Sequence, residues 1–253
     1  MSSYRYEGTF EGFLCAVACC LDDGGEPVEF VRPGAVSEAD LFAGGTREVA
    51  TVRETALRLR EQFVAAVSKD AFATVRYAFH SQQAGIELLL WRYLTLGFRV
   101  GPSLGRMLAR EPVCSVNRIA RRVAHEAHKF KGFVRFREVA WFNDVSFLYA
   151  RIEPDADILA FIAPHFSERV GDRPWMIHDL ARSQAAVYDL TSWRLVRDID
   201  LTATPAYTPG EEACARLWRG YFEHLAIPER RNPRLQRQHV PVRYRGNLVE
   251  FGE

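Results

Sequence analysis

The sequence predicts an α+β fold: a helical N-terminal half, then an antiparallel or mixed sheet, closed by a C-terminal helix and a basic tail. Two observations lead there. Apolar residues recur at three- and four-residue steps through the first half, the spacing of a helix with one buried face, and after Gly132 the step falls to two, the spacing of a strand. Only one helical stretch interrupts the later strand signals, which argues against a doubly wound parallel sheet.

The elements follow in order. Tyr4-Arg5-Tyr6 reads as a short strand, and Thr9 caps a helix whose apolar side is Phe10, Phe13, Leu14, Val17, Ala18 and Leu21. Asp22-Asp23-Gly24-Gly25 ends it, and a Gly- and Pro-containing loop covers 32–46. Helices are expected at about 53–69, 71–80 and 82–98, the last apolar nearly all round. A further helix starts near Ser115. Beyond Gly132, Phe133-Val134-Arg135-Phe136-Arg137 alternates apolar with basic residues, as a strand with arginines on one face would. More strands are expected at Val145–Ile152, Trp175–Leu180, Ala185–Asp189 and Trp193–Val196, with a helix at 155–169 reset by Pro164. Thr208-Pro209-Gly210-Glu211 has the form of a helix start, and Cys214, Leu217, Trp218, Tyr221, Phe222 and Leu225 form its apolar stripe. No internal repeat or low-complexity linker divides the chain. We expect one composite domain over 1–253, with a helical part to about 130, a sheet part over 131–228 and an arginine-rich tail over 229–253.

Composition narrows the function classes. With 48% hydrophobic residues the 253-residue chain can bury a core, and no apolar run approaches the ~18 residues of a membrane span. The N-terminus lacks a secretory apolar segment, so no membrane association is expected and the cytoplasm is the expected compartment. Five cysteines with no CxxC pair read as reduced thiols, and Cys15, Cys19 and Cys20 as small core residues of the first helix. No GxxxxGK[ST] or GxGxxG segment occurs, and no metal or cofactor is expected.

Charge is the informative feature. The net charge is only +1, but residues 118–137 carry seven cations (Arg118, Arg121, Arg122, Lys129, Lys131, Arg135, Arg137) against the single acid Glu126. Residues 229–245 carry six arginines, among them Arg230, Arg231, Arg234 and Arg243, against Glu229. On a helical wheel Arg118, Arg121, Arg122, His125 and Lys129 share an arc of about 100°, opposite Val116, Ala120, Val123, Ala127 and Phe130. Cations one turn apart sit about 5–6 Å from one another, a spacing suited to backbone phosphates. The tail couples its arginines to Asn232 and glutamines, donors for phosphates and base edges, although the same arginines could pair with the acidic remainder of the chain. His165, and His178 beside Asp179, are the candidates for general acid or base work.

Several ordered segments resemble one known family: Tyr6-Glu7-Gly8-Thr9-Phe10-Glu11-Gly12-Phe13-Leu14, His128-Lys129-Phe130-Lys131-Gly132-Phe133-Val134-Arg135-Phe136, Leu148-Tyr149-Ala150-Arg151-Ile152-Glu153, Ala163-Pro164-His165-Phe166, Trp175-Met176-Ile177-His178-Asp179 and Glu229-Arg230-Arg231-Asn232-Pro233. They look like the bacterial "probable DNA metabolism protein" family. That resemblance implies a role in DNA repair or DNA metabolism beside a radical-SAM DNA repair protein, or fused to a uracil-DNA glycosylase. Three readings stay open: a DNA-binding accessory protein, a DNA-modifying or repair enzyme using His165 or His178/Asp179, and a docking scaffold that touches its protein partner rather than DNA.

Overall fold

A computed structural model describes residues 2–34, 46–140, 146–199, 206–225, 227–230 and 232–251. The chain is α+β and divides into two compact units, Met1–Ala124 and His125–Glu253.

The first unit carries a small parallel sheet in the order β2-β1-β3, from β1 (Ser2–Arg5), β2 (Pro27–Val31) and β3 (Thr46–Glu48). The sequence predicts only β1 of these three; β3 has three residues, and in β2 the adjacent Phe30 and Val31 are both buried, so no alternation marks it. Helix α1 (Phe10–Asp22) starts where predicted, with the Thr9 Oγ1 accepting from the Gly12 amide at 3.0 Å. The helices α2 (Arg53–Ala66), α3 (Lys69–Phe79) and α4 (Ile86–Val100) bury Phe63, Val75, Leu90 and Leu94 with Phe13 and Val17 of α1. Gly97 lets α4 approach α2, because a Cβ there would lie 2.6 Å from the Phe63 ring. Cys15 and Cys20 are buried, and the Cys15 thiol lies 3.3 Å from the Val52 carbonyl, so these cysteines are core residues of α1.

Helix α5 (Val113–Phe133) begins in the first unit and ends in the second. The helix runs through Gly132, and the strand expected over 133–137 starts only at Arg137. Phe130 and Phe133 pack on Tyr244, with ring centroids 4.9 and 5.8 Å apart, and this contact holds the last turn helical against the two-residue pattern and the roughly 1 kcal/mol cost of a helical glycine.

The second unit is built on a five-stranded mixed sheet in the order β4-β5-β6-β7-β8: β4 (Arg137–Ala140), β5 (Ser146–Ile152), β6 (Trp175–Asp179), β7 (Gln184–Tyr188) and β8 (Trp193–Val196). The β5–β6 pair is parallel and the others are antiparallel. The parallel pair is joined by α6 (Leu159–Arg169), which runs through Pro164 instead of restarting there and buries Leu159, Ile162, Ala163 and Phe166 on the sheet face that carries Trp175. At the β7–β8 hairpin the Asp189 carboxylate accepts from the amides of Thr191 and Ser192 at 3.0 and 2.9 Å, and Leu190 takes a positive φ of 74°.

Helix α7 (Pro209–Leu225) matches its sequence signal, with two differences. The Glu211 side chain does not fold back on its own helix but accepts from the Glu138 amide at 3.2 Å, tying the helix start to β4. The apolar stripe stays largely exposed, Leu217 at 74% and Tyr221 at 59%. The chain ends in α8 (Pro233–His239) and a 3-10 turn, Val242–Asn247.

Candidate nucleic-acid interface

The two sides of α5 have opposite fates. Val116, Ile119, Ala120, Val123, Ala127 and Phe130 are buried. Arg118, Arg121, Arg122 and His125 are exposed and Lys129 is half-buried, on the arc the spacing assigns to them. Among the described residues no carboxylate pairs with any of these cations; Arg118 reaches only the Ser115 hydroxyl, at 3.4 Å. A row of cations left unneutralised at a helical-turn spacing is a template for an external polyanion.

The acid among them is spent on the fold. Glu126 Oε1 accepts from the Asp155 amide at 2.9 Å and Oε2 from the Ala156 amide at 3.0 Å, and the Tyr244 hydroxyl also donates to Oε1. Burial and the acceptor Glu126 push the Tyr244 hydroxyl well above the usual phenol range. Arg243 donates to the Tyr244 oxygen at 2.9 Å and pairs with Asp155 at 2.6 Å. One of the predicted tail cations is therefore paired within the protein. Asn232 caps α8, its side-chain oxygen accepting from the Leu235 amide at 3.0 Å, so that oxygen is engaged by the backbone. Arg230 and Arg234 are exposed, and Arg231 lies outside the described residues.

The remaining predicted cations do not extend the α5 row. Lys131 is on the opposite side of the helix, where its charge, after burial, helps hold the His165 imidazole below its usual pKa. Arg135 stands over the Trp218 ring with Glu211 3.9 Å away. Arg137 lies over the Tyr207 ring at 4.9 Å, beside a cavity of about 330 Å³ that Glu211, Glu212, Arg216 and Arg219 also line.

His178 and Asp179 are neighbours on β6, so their side chains leave opposite faces of the sheet and cannot form a base with its orienting carboxylate. Asp179 is fully buried and pairs with Arg182 at 3.0 Å while accepting from the Ala181 amide at 3.1 Å; burial nevertheless raises its pKa. His178 turns the other way, where its Nδ1 lies 2.8 Å from the Tyr149 hydroxyl oxygen on β5. Burial, and then the charge of Arg151, hold the imidazole below its usual pKa, so the ring is neutral at pH 7. Arg151 sits directly opposite His178 in the parallel register, two residues on from Tyr149 on the same face. Its Nε is buried with no hydrogen-bond partner among the described residues, which costs about 1–3 kcal/mol for a neutral donor and more for a charged one. Sequence reasoning singled out His178 but not Tyr149 or Arg151 as site residues. The alternation in Phe147-Leu148-Tyr149-Ala150-Arg151 places both on one face; their meeting with His178 depends on a strand register that no local pattern records.

His165 is apart from this cluster, on α6, ring to ring with Phe166 at 5.1 Å, its Nε2 buried and unbonded. No arrangement of a nucleophile with a base and an orienting acid links His165, His178 and Asp179 among the described residues.

A model of the DUF4130 family, described as a domain of unknown function, matches residues 84–250, two thirds of the chain and the part that holds α5, His165, His178 and Arg151. No curated protein matches the chain.

Proposed function

The chain belongs to the DUF4130 family, a domain of unknown function, and from the charge of α5 we propose that it is a DNA-binding accessory protein of DNA repair or DNA metabolism. It grips the phosphate backbone and carries out no chemistry of its own. The observation that carries this reading is the α5 row: Arg118, Arg121, Arg122 and His125 exposed, Lys129 beside them, and no carboxylate partner for any of them among the described residues. Exposed Arg230 and Arg234 add cations in the tail. Its place beside a radical-SAM DNA repair protein or a uracil-DNA glycosylase rests on the sequence resemblance. The enzyme reading is weaker, because His178 and Asp179 point to opposite faces and each is engaged by its own neighbour. The scaffold reading has one observation in its favour, the exposed apolar stripe of α7.

The test replaces Arg121, Arg122 and Lys129 together with alanine. If each contacts a phosphate, the slope of log affinity against log salt falls by about 2–3, at roughly 0.7–0.9 per contact. None of the three is buried, so the melting temperature should not move. A variant with unchanged affinity and slope refutes the α5 assignment.

A further inference from the structure

Besides the α5 cations, the second unit holds a cation with no acidic partner among the described residues. Arg151 has neither a carboxylate nor a hydrogen-bond acceptor among the described residues, and its Nε is buried. Its two neighbours on that sheet face, Tyr149 and His178, are themselves 3% and 4% exposed. They are joined by a single hydrogen bond of 2.8 Å. A neutral imidazole and a phenol bring two N–H or O–H hydrogens. One lies in the bond between them, so whichever tautomer is present, one donor remains: the His178 Nε2 hydrogen or the Tyr149 hydroxyl hydrogen. The guanidinium adds its fork of donors alongside. By the strand register no described strand residue on this face is acidic, and Arg137 and Arg194 add cations to it; the acids near it are Glu211 and Glu212 of α7, which line the cavity beside Arg137.

We propose that Arg151, His178 and Tyr149 form a binding site for a phosphoryl group. Donors from a guanidinium, with one more from a neutral His–Tyr pair, suit a tetrahedral oxyanion. A metal ion would be repelled by the arginine, and an apolar ligand would leave the buried Nε without a partner. Arg is better suited than Lys here, because a planar fork can present Nε and one Nη to two oxygens of the same phosphate. The site deepens the DNA-binding reading if the phosphoryl group belongs to a nucleic-acid backbone, but it stands on its own residues.

The experiment follows the arginine Nε–Hε resonances of the 15N-labelled full chain, with the Arg151 signal identified by its absence from Arg151→Lys. Inorganic phosphate is titrated against chloride at matched ionic strength, and in a second arm an oligothymidylate without terminal phosphates is added. The expected result is a saturable shift of the Arg151 signal with both ligands and none with chloride. Arg151→Met should weaken phosphate binding by about 10- to 150-fold, the range for losing a hydrogen bond to a charged group. Tyr149→Phe, which keeps the ring packing, should weaken it less. A shift with phosphate but not with the oligonucleotide keeps the site and overturns its link to nucleic acid. No shift with either overturns the site, even where the parent protein binds DNA and the α5 variant loses that affinity, so the two readings fail separately.

Discussion

Replacing Glu126 with alanine should unfold the second unit more readily without touching a single cation of the α5 row. The carboxylate holds three donors: the amides of Asp155 and Ala156 and the hydroxyl of Tyr244, which is itself buried. Hydrogen bonds to a charged acceptor contribute about 1.5–3 kcal/mol each when shielded. The Asp155 amide bond is exposed, and its donor turns to water at little cost. The other two are partly shielded, and the Tyr244 hydroxyl keeps only its contact with Arg243. The loss should therefore be about 2–4 kcal/mol. Glu126→Gln, which keeps one carbonyl acceptor, should cost about half as much. Urea unfolding followed by tryptophan fluorescence reads this directly: the midpoint falls and the slope against denaturant is unchanged. An alanine variant within about 0.5 kcal/mol of the parent, the level of an ordinary surface substitution, would refute the view that Glu126 anchors α5 to the 155–156 turn and to the C-terminal segment.

Two further predictions concern β6. Arg182→Met should destabilise the protein by about 3–5 kcal/mol by leaving the buried Asp179 carboxylate without its cation, and adding Asp179→Asn should recover part of that loss, the bonds from Arg182 to the Pro154 and Asp155 carbonyls staying lost; denaturant unfolding of the single and double variants decides it. His178 has a folded-state pKa below its ordinary 6.5, so the folded protein binds fewer protons than the unfolded chain just below that pH, and the stability this group contributes should fall as pH drops below about 6.5. His178→Gln should reduce the stability difference between pH 7.5 and 5.5, leaving the part that His165, also held below its usual pKa, contributes with the same sign, and a parent protein with no such difference would contradict a neutral buried imidazole.

The parts of the fold legible in the sequence were those with local causes. Thr9, the hairpin at 190–192 and the two sides of α5 follow from capping, turn chemistry and a 3.6-residue period, and each stands where those rules place it. Where two local signals competed the reading erred: Phe133–Arg137 alternates like a strand, yet Phe130 and Phe133 are held in helix by a tyrosine more than a hundred residues away. The cation row was legible because one helix carries all of it. The Tyr149–His178–Arg151 cluster was not, because it exists only once β5 and β6 pair in register. Arg243 shows the same limit in reverse, since its charge suggests an external ligand and only the fold brings Asp155 against it.

Whether the α5 row holds nucleic-acid backbone is read from the binding of the purified protein to labelled single- and double-stranded DNA, followed by fluorescence anisotropy across ~50–200 mM salt. Five or so phosphate contacts predict affinity that falls by two or more orders of magnitude over that range, log-linear in salt, and less steeply for single strands than for duplex. No binding at the lowest salt, or an affinity indifferent to salt, would contradict these contacts.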